Sequence, residues 1–147
     1  MEKSLREDSP TYQIGITGLI SKRAFQKLLS KANIDLTPEQ VGLLNSLLEK
    51  DGSTMQELSV LNNRDNSATT RLIDHLEKKA FVVRKSSDSD RRVWNIYITE
   101  PGKKQIFDAN RIGNYYLKKI LKDIDKNELE IFMKVIKSLK NNIIDFK

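Results

Sequence analysis

Residues 86–99 read SSDSDRRVWNIYIT, and no other stretch constrains the fold of this chain as much. A polar, charged run passes directly into a strict two-residue alternation. Trp94, Ile96 and Ile98 are apolar while Asn95, Tyr97 and Thr99 point the other way, which is the period of a half-buried strand. Upstream, Phe81, Val82 and Val83 form a second short β-prone run that ends in Arg84 and Lys85. Two such runs predict a hairpin. Its connection would span about eight residues against the usual two to five, so the loop is expected to serve a purpose beyond closure.

Everything around this hairpin reads as helix. Apolar residues recur at helical spacing over 11–32, through Tyr12, Ile16, Leu19, Ile20, Leu28 and Leu29. Thr37-Pro38 signals the start of a second helix through Val41, Leu44, Leu47 and Leu48, and Asp51-Gly52 ends it. Thr54-Met55-Gln56-Glu57 has the form of a capping box and opens a short third helix to Leu61. Asp65 is placed to cap a fourth from Asn66. Beyond the hairpin, Thr99-Glu100-Pro101 starts a long helix to about residue 122, and Asp125 to Glu128 caps a last one.

The expected fold class is mainly α with a small two-stranded β wing: a winged helix-turn-helix over 37–99. The regions 1–36 and 100–147 are expected to form a helical dimerisation region in one continuous chain.

Composition removes several function classes. There is no Cys and one His, His75, which leaves no disulfide framework, thiolate nucleophile or common zinc constellation. No cofactor is expected. No apolar run approaches the roughly 18 residues that span a bilayer, and MEKSLREDSP is too polar for a signal peptide. A cytoplasmic binding protein is the expectation. An enzyme would need a nucleophile–base pair, a metal cluster or a phosphate loop; Asp88 and Asp90 are carboxylates on an exposed loop. The net charge of +6 says less than its distribution. Residues 1–49 are neutral (6 basic, 6 acidic), 50–99 carry +2 (9 basic, 7 acidic) and 100–147 carry +4 (11 basic, 7 acidic). Bulk charge supports only general attraction to phosphate, so the local pattern carries the case.

That pattern suits double-stranded DNA. The fourth helix would bury Ala68, Leu72, Ile73 and Leu76. Asn66, Ser67, Thr69 and Thr70 then bring polar groups to a helix N-terminus that itself attracts phosphate, with Thr69 bordering the buried face. Arg71 can pair with guanine or phosphate, and His75 can reach a backbone oxygen. In the hairpin, Arg91 and Arg92 would sit at a projecting tip and Arg84 and Lys85 at its base. Arginine suits a narrow minor groove because its guanidinium is weakly hydrated. Asp90 would hold the Arg92 guanidinium by a charged hydrogen bond. The competing reading is a winged-helix module for protein contacts without specific DNA binding; it predicts apolar or acidic residues at the wing tip, where this chain has two arginines.

From Asp65 to Gly102 these residues resemble the MarR family of bacterial and archaeal regulators. SATTRLIDHLEKKAFVVR is similar to the family's recognition helix and first wing strand. DRR followed by IYITEPG resembles its D-x-R wing motif and the closing threonine and glycine, on which Thr99 and Gly102 fall. The resemblance implies a homodimer on a roughly palindromic operator, with recognition helices in major grooves and wings in minor grooves. It further implies a repressor released by a small phenolic or anionic effector. Two departures stand out. Ala80 occupies a position where the family usually has Gly, at a cost on the order of 1 kcal/mol if the backbone there is left-handed. The absence of Cys argues against the family's thiol-based sensing branch.

Overall fold

The computed structural model describes residues 8–87 and 90–146, which fall into two compact units divided between Asn114 and Tyr115. The elements in chain order are α1 (Pro10–Lys31), α2 (Pro38–Glu49), β1 (Ser53–Thr54), α3 (Met55–Leu61), α4 (Asn66–Lys78), β2 (Val82–Ser86), β3 (Trp94–Ile98), α5 (Glu100–Ile120) and α6 (Lys126–Asp145).

The helix starts follow from local chemistry. Thr37 and Thr54 each accept a backbone N–H three residues on, while Gln40 and Glu57 reach back to close capping boxes. Asp125 and Glu128 repeat the device at α6. Asp65 caps α4 by accepting the Ala68 N–H at 2.7 Å. Lys50 and the Thr54 N–H hold the Glu57 carboxyl down from its ordinary 4.5 to about 2. At Glu39 burial pushes the pKa up, but the contact with Lys22 of α1 together with hydrogen bonds from its own backbone and from Thr37 outweighs it, and the net shift is downward.

In the first unit α2, α3 and α4 wrap one core. Leu43, Leu44, Leu47, Leu58, Ile73 and Leu76 are fully buried in it, joined by Val82 and Ile96 of the strands, Leu29 of α1 and Ile106 of α5. Each such side chain contributes roughly 1.5–3 kcal/mol by leaving water. The sheet has three strands in the order β1-β3-β2, all antiparallel. The expected two-stranded wing is present as the β2–β3 hairpin, and β1 adds a third strand beside β3. β1 is only two residues long, with Ser53 opposite Ile96 and Thr54 opposite Asn95, and no periodicity can be read from two residues.

Trp94 also departs from expectation. Ile96 and Ile98 are buried, but Trp94, on the same side of the strand, is 48% exposed. Here the hairpin runs past the edge of the core.

The second unit holds the C-terminal part of α5 and α6. Leu121, Leu129, Ile136 and Leu139 are half-buried in it, and no residue of α6 is fully buried. Among the described residues no helix is long and apolar enough to cross a membrane.

Candidate nucleic-acid interface

One face of α4 is sealed and the other open. Thr69, Ile73 and Leu76 form the buried stripe at helical spacing, while Ser67, Arg71, His75 and Lys78 are exposed. Thr69 is therefore corrected from a contact residue to a core residue. It is fully buried, and its hydroxyl donates to the Asp65 carbonyl at 3.0 Å. The Thr70 hydroxyl, half-buried at the margin of the open face, donates to the Asn66 carbonyl at 2.8 Å and keeps acceptor capacity. Asn66 donates its side-chain amide to Gln56 of α3 at 3.3 Å. The first turn of α4 carries no acidic residue, but the Asp65 carboxylate capping it occupies the Ala68 N–H and offsets part of the positive potential of the helix end.

Within the wing, the basic residues do different work. Arg84 reaches back to α4: its guanidinium donates to Glu77 at 3.0 Å and to Asp74, and its backbone N–H faces Glu77 at 3.4 Å. With both forks engaged, Arg84 is corrected from a groove contact to a clasp between α4 and β2. Lys85 lies over the Tyr97 ring, 4.9 Å from its centroid, and is exposed. Arg91 and Arg92 are both exposed at the tip.

Asp90 orients Arg92, but through the backbone. Its carboxylate accepts the Arg92 N–H at 2.9 Å, and its carbonyl accepts the Val93 N–H at 2.9 Å. The expected bond to the guanidinium is replaced by an Asx turn, which fixes where the side chains leave the chain and leaves the charge available. Asp88 lies outside the described residues, as do residues 1–7.

Between these elements runs a groove of about 490 Å³. Met55 and Gln56 of α3, Asn66 and Thr70 of α4, and Arg92, Val93 and Trp94 of the wing line it. A second groove of about 580 Å³ lies along the α3–α4 turn, beside Gln56, Asn63, Arg64 and Asn66. Gln56 shares both, and sequence reasoning missed it. The available signal was a polar residue in the first turn of a helix too short to bury all its faces. Trp94 was likewise read as an inner-face residue. Among the described residues no cluster of His, Asp or Glu is arranged to hold a metal ion.

Comparison with known proteins places this geometry. The model of the MarR family matches residues 36–94. The chain is 29% identical over 143 residues to YsmB, an uncharacterized HTH-type transcriptional regulator of Bacillus subtilis (strain 168), covering 97% of this chain and 90% of that one. It is 25% identical over 108 residues to YdgJ, described in the same words and from the same organism, covering 74% of this chain and 66% of that one. Among solved structures it is similar to the transcriptional repressor CouR bound to a 23-mer DNA duplex, with TM-score 0.84, 18% identity, and 95% and 98% of the two chains covered. CouR of Rhodococcus jostii RHA1 bound to p-coumaroyl-CoA gives TM-score 0.80 at 22% identity, over 94% and 95%. At these identities the structural likeness shows the fold.

Proposed function

We propose that this chain, whose residues 36–94 match the model of the MarR family, is a sequence-specific DNA-binding transcriptional regulator of that family, working as a homodimeric repressor of a palindromic operator. The observation that carries the reading is the shared groove: Asn66 and Thr70 of α4 and Arg92 of the wing line one cavity. The first turn of α4 and a hairpin tip with two exposed arginines thus border one surface. Ser67, Arg71 and His75 of α4 enter the major groove; Arg91 and Arg92 enter the neighbouring minor groove, with Lys85 at its rim. Dimerisation is supported by apolar side chains left exposed on α1, where Leu19 is 53% and Ile20 60% exposed, and on α6, where Phe132 is 54% and Ile143 62% exposed. Release by a small anionic or phenolic ligand is supported by the likeness to CouR, whose solved forms include one with a DNA duplex and one with p-coumaroyl-CoA.

The test is fluorescence anisotropy with a labelled duplex taken from the DNA flanking this chain's own coding region, over a salt series. Wild type should bind more tightly than to random duplex, with a steep salt slope. Arg92→Ala should weaken binding by roughly 1–3 kcal/mol and reduce that slope by about one, with folding and dimerisation unchanged. Equal binding by wild type and Arg92→Ala, or no preference over random duplex even among genome-selected fragments, would remove the reading.

A further inference from the structure

Trp94 is the single tryptophan of the chain. It continues the inward row of Ile96 and Ile98, yet it is 48% exposed and forms part of the groove wall beside Arg92. Nothing in the packing of the core calls for an indole there, since the buried row ends at Ile96. An exposed large aromatic side chain next to a charged, hydrogen-bonding surface is a recurrent anchor in recognition.

The geometry of a duplex says what would meet it. When a helix occupies the major groove and a hairpin the neighbouring minor groove, one sugar–phosphate strand separates the two. That strand has to cross the protein between the start of α4 and the wing, which is where the 490 Å³ groove lies. The lining combines two chemistries that suit such a strand. Asn66, through its second amide hydrogen, and Arg92 offer hydrogen-bond donors or positive charge for phosphate oxygens, while Met55, Val93 and Trp94 offer apolar surface for the C–H face of a sugar.

We propose that this groove seats one sugar–phosphate strand of the bound duplex, with the Trp94 indole packed on a deoxyribose and Arg92 beside the adjoining phosphate. The proposal rests on the DNA-binding reading above. Because a sugar carries no base identity, the contact adds affinity equally to every sequence. Because the indole is uncharged, it adds no counterion release and leaves the salt slope where it was. Trp94 and Arg92 therefore differ in a measurable way.

The experiment measures anisotropy of wild type, Trp94→Ser and Trp94→Phe on the preferred duplex and on a random duplex over a salt series, with thermal melts of each variant. It adds a titration of the wild-type tryptophan emission with unlabelled duplex. Trp94→Ser should bind both duplexes about tenfold more weakly with an unchanged salt slope, and Trp94→Phe should recover most of the loss. The emission should change with the same midpoint as the anisotropy. Should Trp94→Ser fail to fold, the emission titration and Trp94→Phe decide the matter. Wild-type binding with silent emission, or with Trp94→Ser folded and equally tight, overturns the groove and leaves DNA binding standing. No binding by wild type to any duplex overturns both.

Discussion

Ala80 sits at φ +57°, in the left-handed region where a Cβ is unfavourable. The turn around it is a helix stop in which Phe81 N–H donates to the Leu76 carbonyl and Ala80 N–H to that of Glu77, both at 2.9 Å. Two other helices stop the same way with Asn33 at φ +55° and Asn63 at φ +48°, and asparagine tolerates that conformation. Alanine has no such compensation, so the surroundings hold it. The Thr99 hydroxyl donates to the Ala80 carbonyl at 2.6 Å, and the Thr99 N–H donates to the Phe81 carbonyl at 3.0 Å. The same hydroxyl accepts the Gly102 N–H at 3.1 Å and starts α5. A Cβ at Gly102 would stand 2.1 Å from the Phe81 oxygen, which is why only glycine fits. The threonine and glycine of the closing motif thus clamp the hairpin base to both helices that flank it. With the turn held in this way, Ala80→Gly should stabilise the fold by about 1 kcal/mol and raise the melting temperature by roughly 2–4 °C. A lower melting point in differential scanning calorimetry would show that the strain is relieved elsewhere.

At the scale of elements, ion pairs set how α4 and the wing attach. Arg84 ties β2 to α4 through Asp74 and Glu77, so the wing base is anchored to α4 rather than merely adjacent to it. At α3 the capping carboxylate of Glu57 also meets Lys50 at 2.6 Å. Its depressed pKa of about 2 has a definite consequence for acid stability. Above the ordinary value of 4.5 Glu57 is ionised in folded and unfolded chains alike, and the stabilisation is complete. Between about 4.5 and 2 the unfolded chain takes up the proton first, so stability falls as pH drops through that window. Urea unfolding from pH 6 to 2.5 should show this loss, and Glu57→Gln should flatten it. An unchanged pH slope in the variant would place the acid-sensitive group elsewhere.

For the molecule as a whole, the apolar surface of α6 is where the proposed assembly is tested. Ile131, Phe132, Val135, Ile143 and Ile144 are each at least half exposed, more than a monomer in water ordinarily leaves open on one helix. If a second copy covers them, as proposed, Phe132→Asp should bury an unpaired charge in the interface and shift sedimentation from dimer to monomer at micromolar concentration, with helicity kept. It should also weaken operator binding at least tenfold, because each half-site would then be held alone. A wild type already monomeric would remove the two-fold operator from the reading.

What the sequence determined by itself is what local chemistry decides. A cap and its partner lie within three residues of each other, so Thr37, Thr54, Asp65 and Asp125 could be read as helix starts without any knowledge of the fold. The alternation of Ile96 and Ile98, the loop with its two arginines, and the order of helices around it were legible for the same reason. Tertiary structure alone decided the rest. Thr69 went to the core because α4 rotates that face inward, and Arg84 was claimed by carboxylates 7 and 10 residues away. Ser53-Thr54 became a strand only because β3 offered it an edge. Trp94 was left half in solvent because the strand outlasts the core beneath it, and burial is a property of what surrounds a residue, which its own alternation cannot contain.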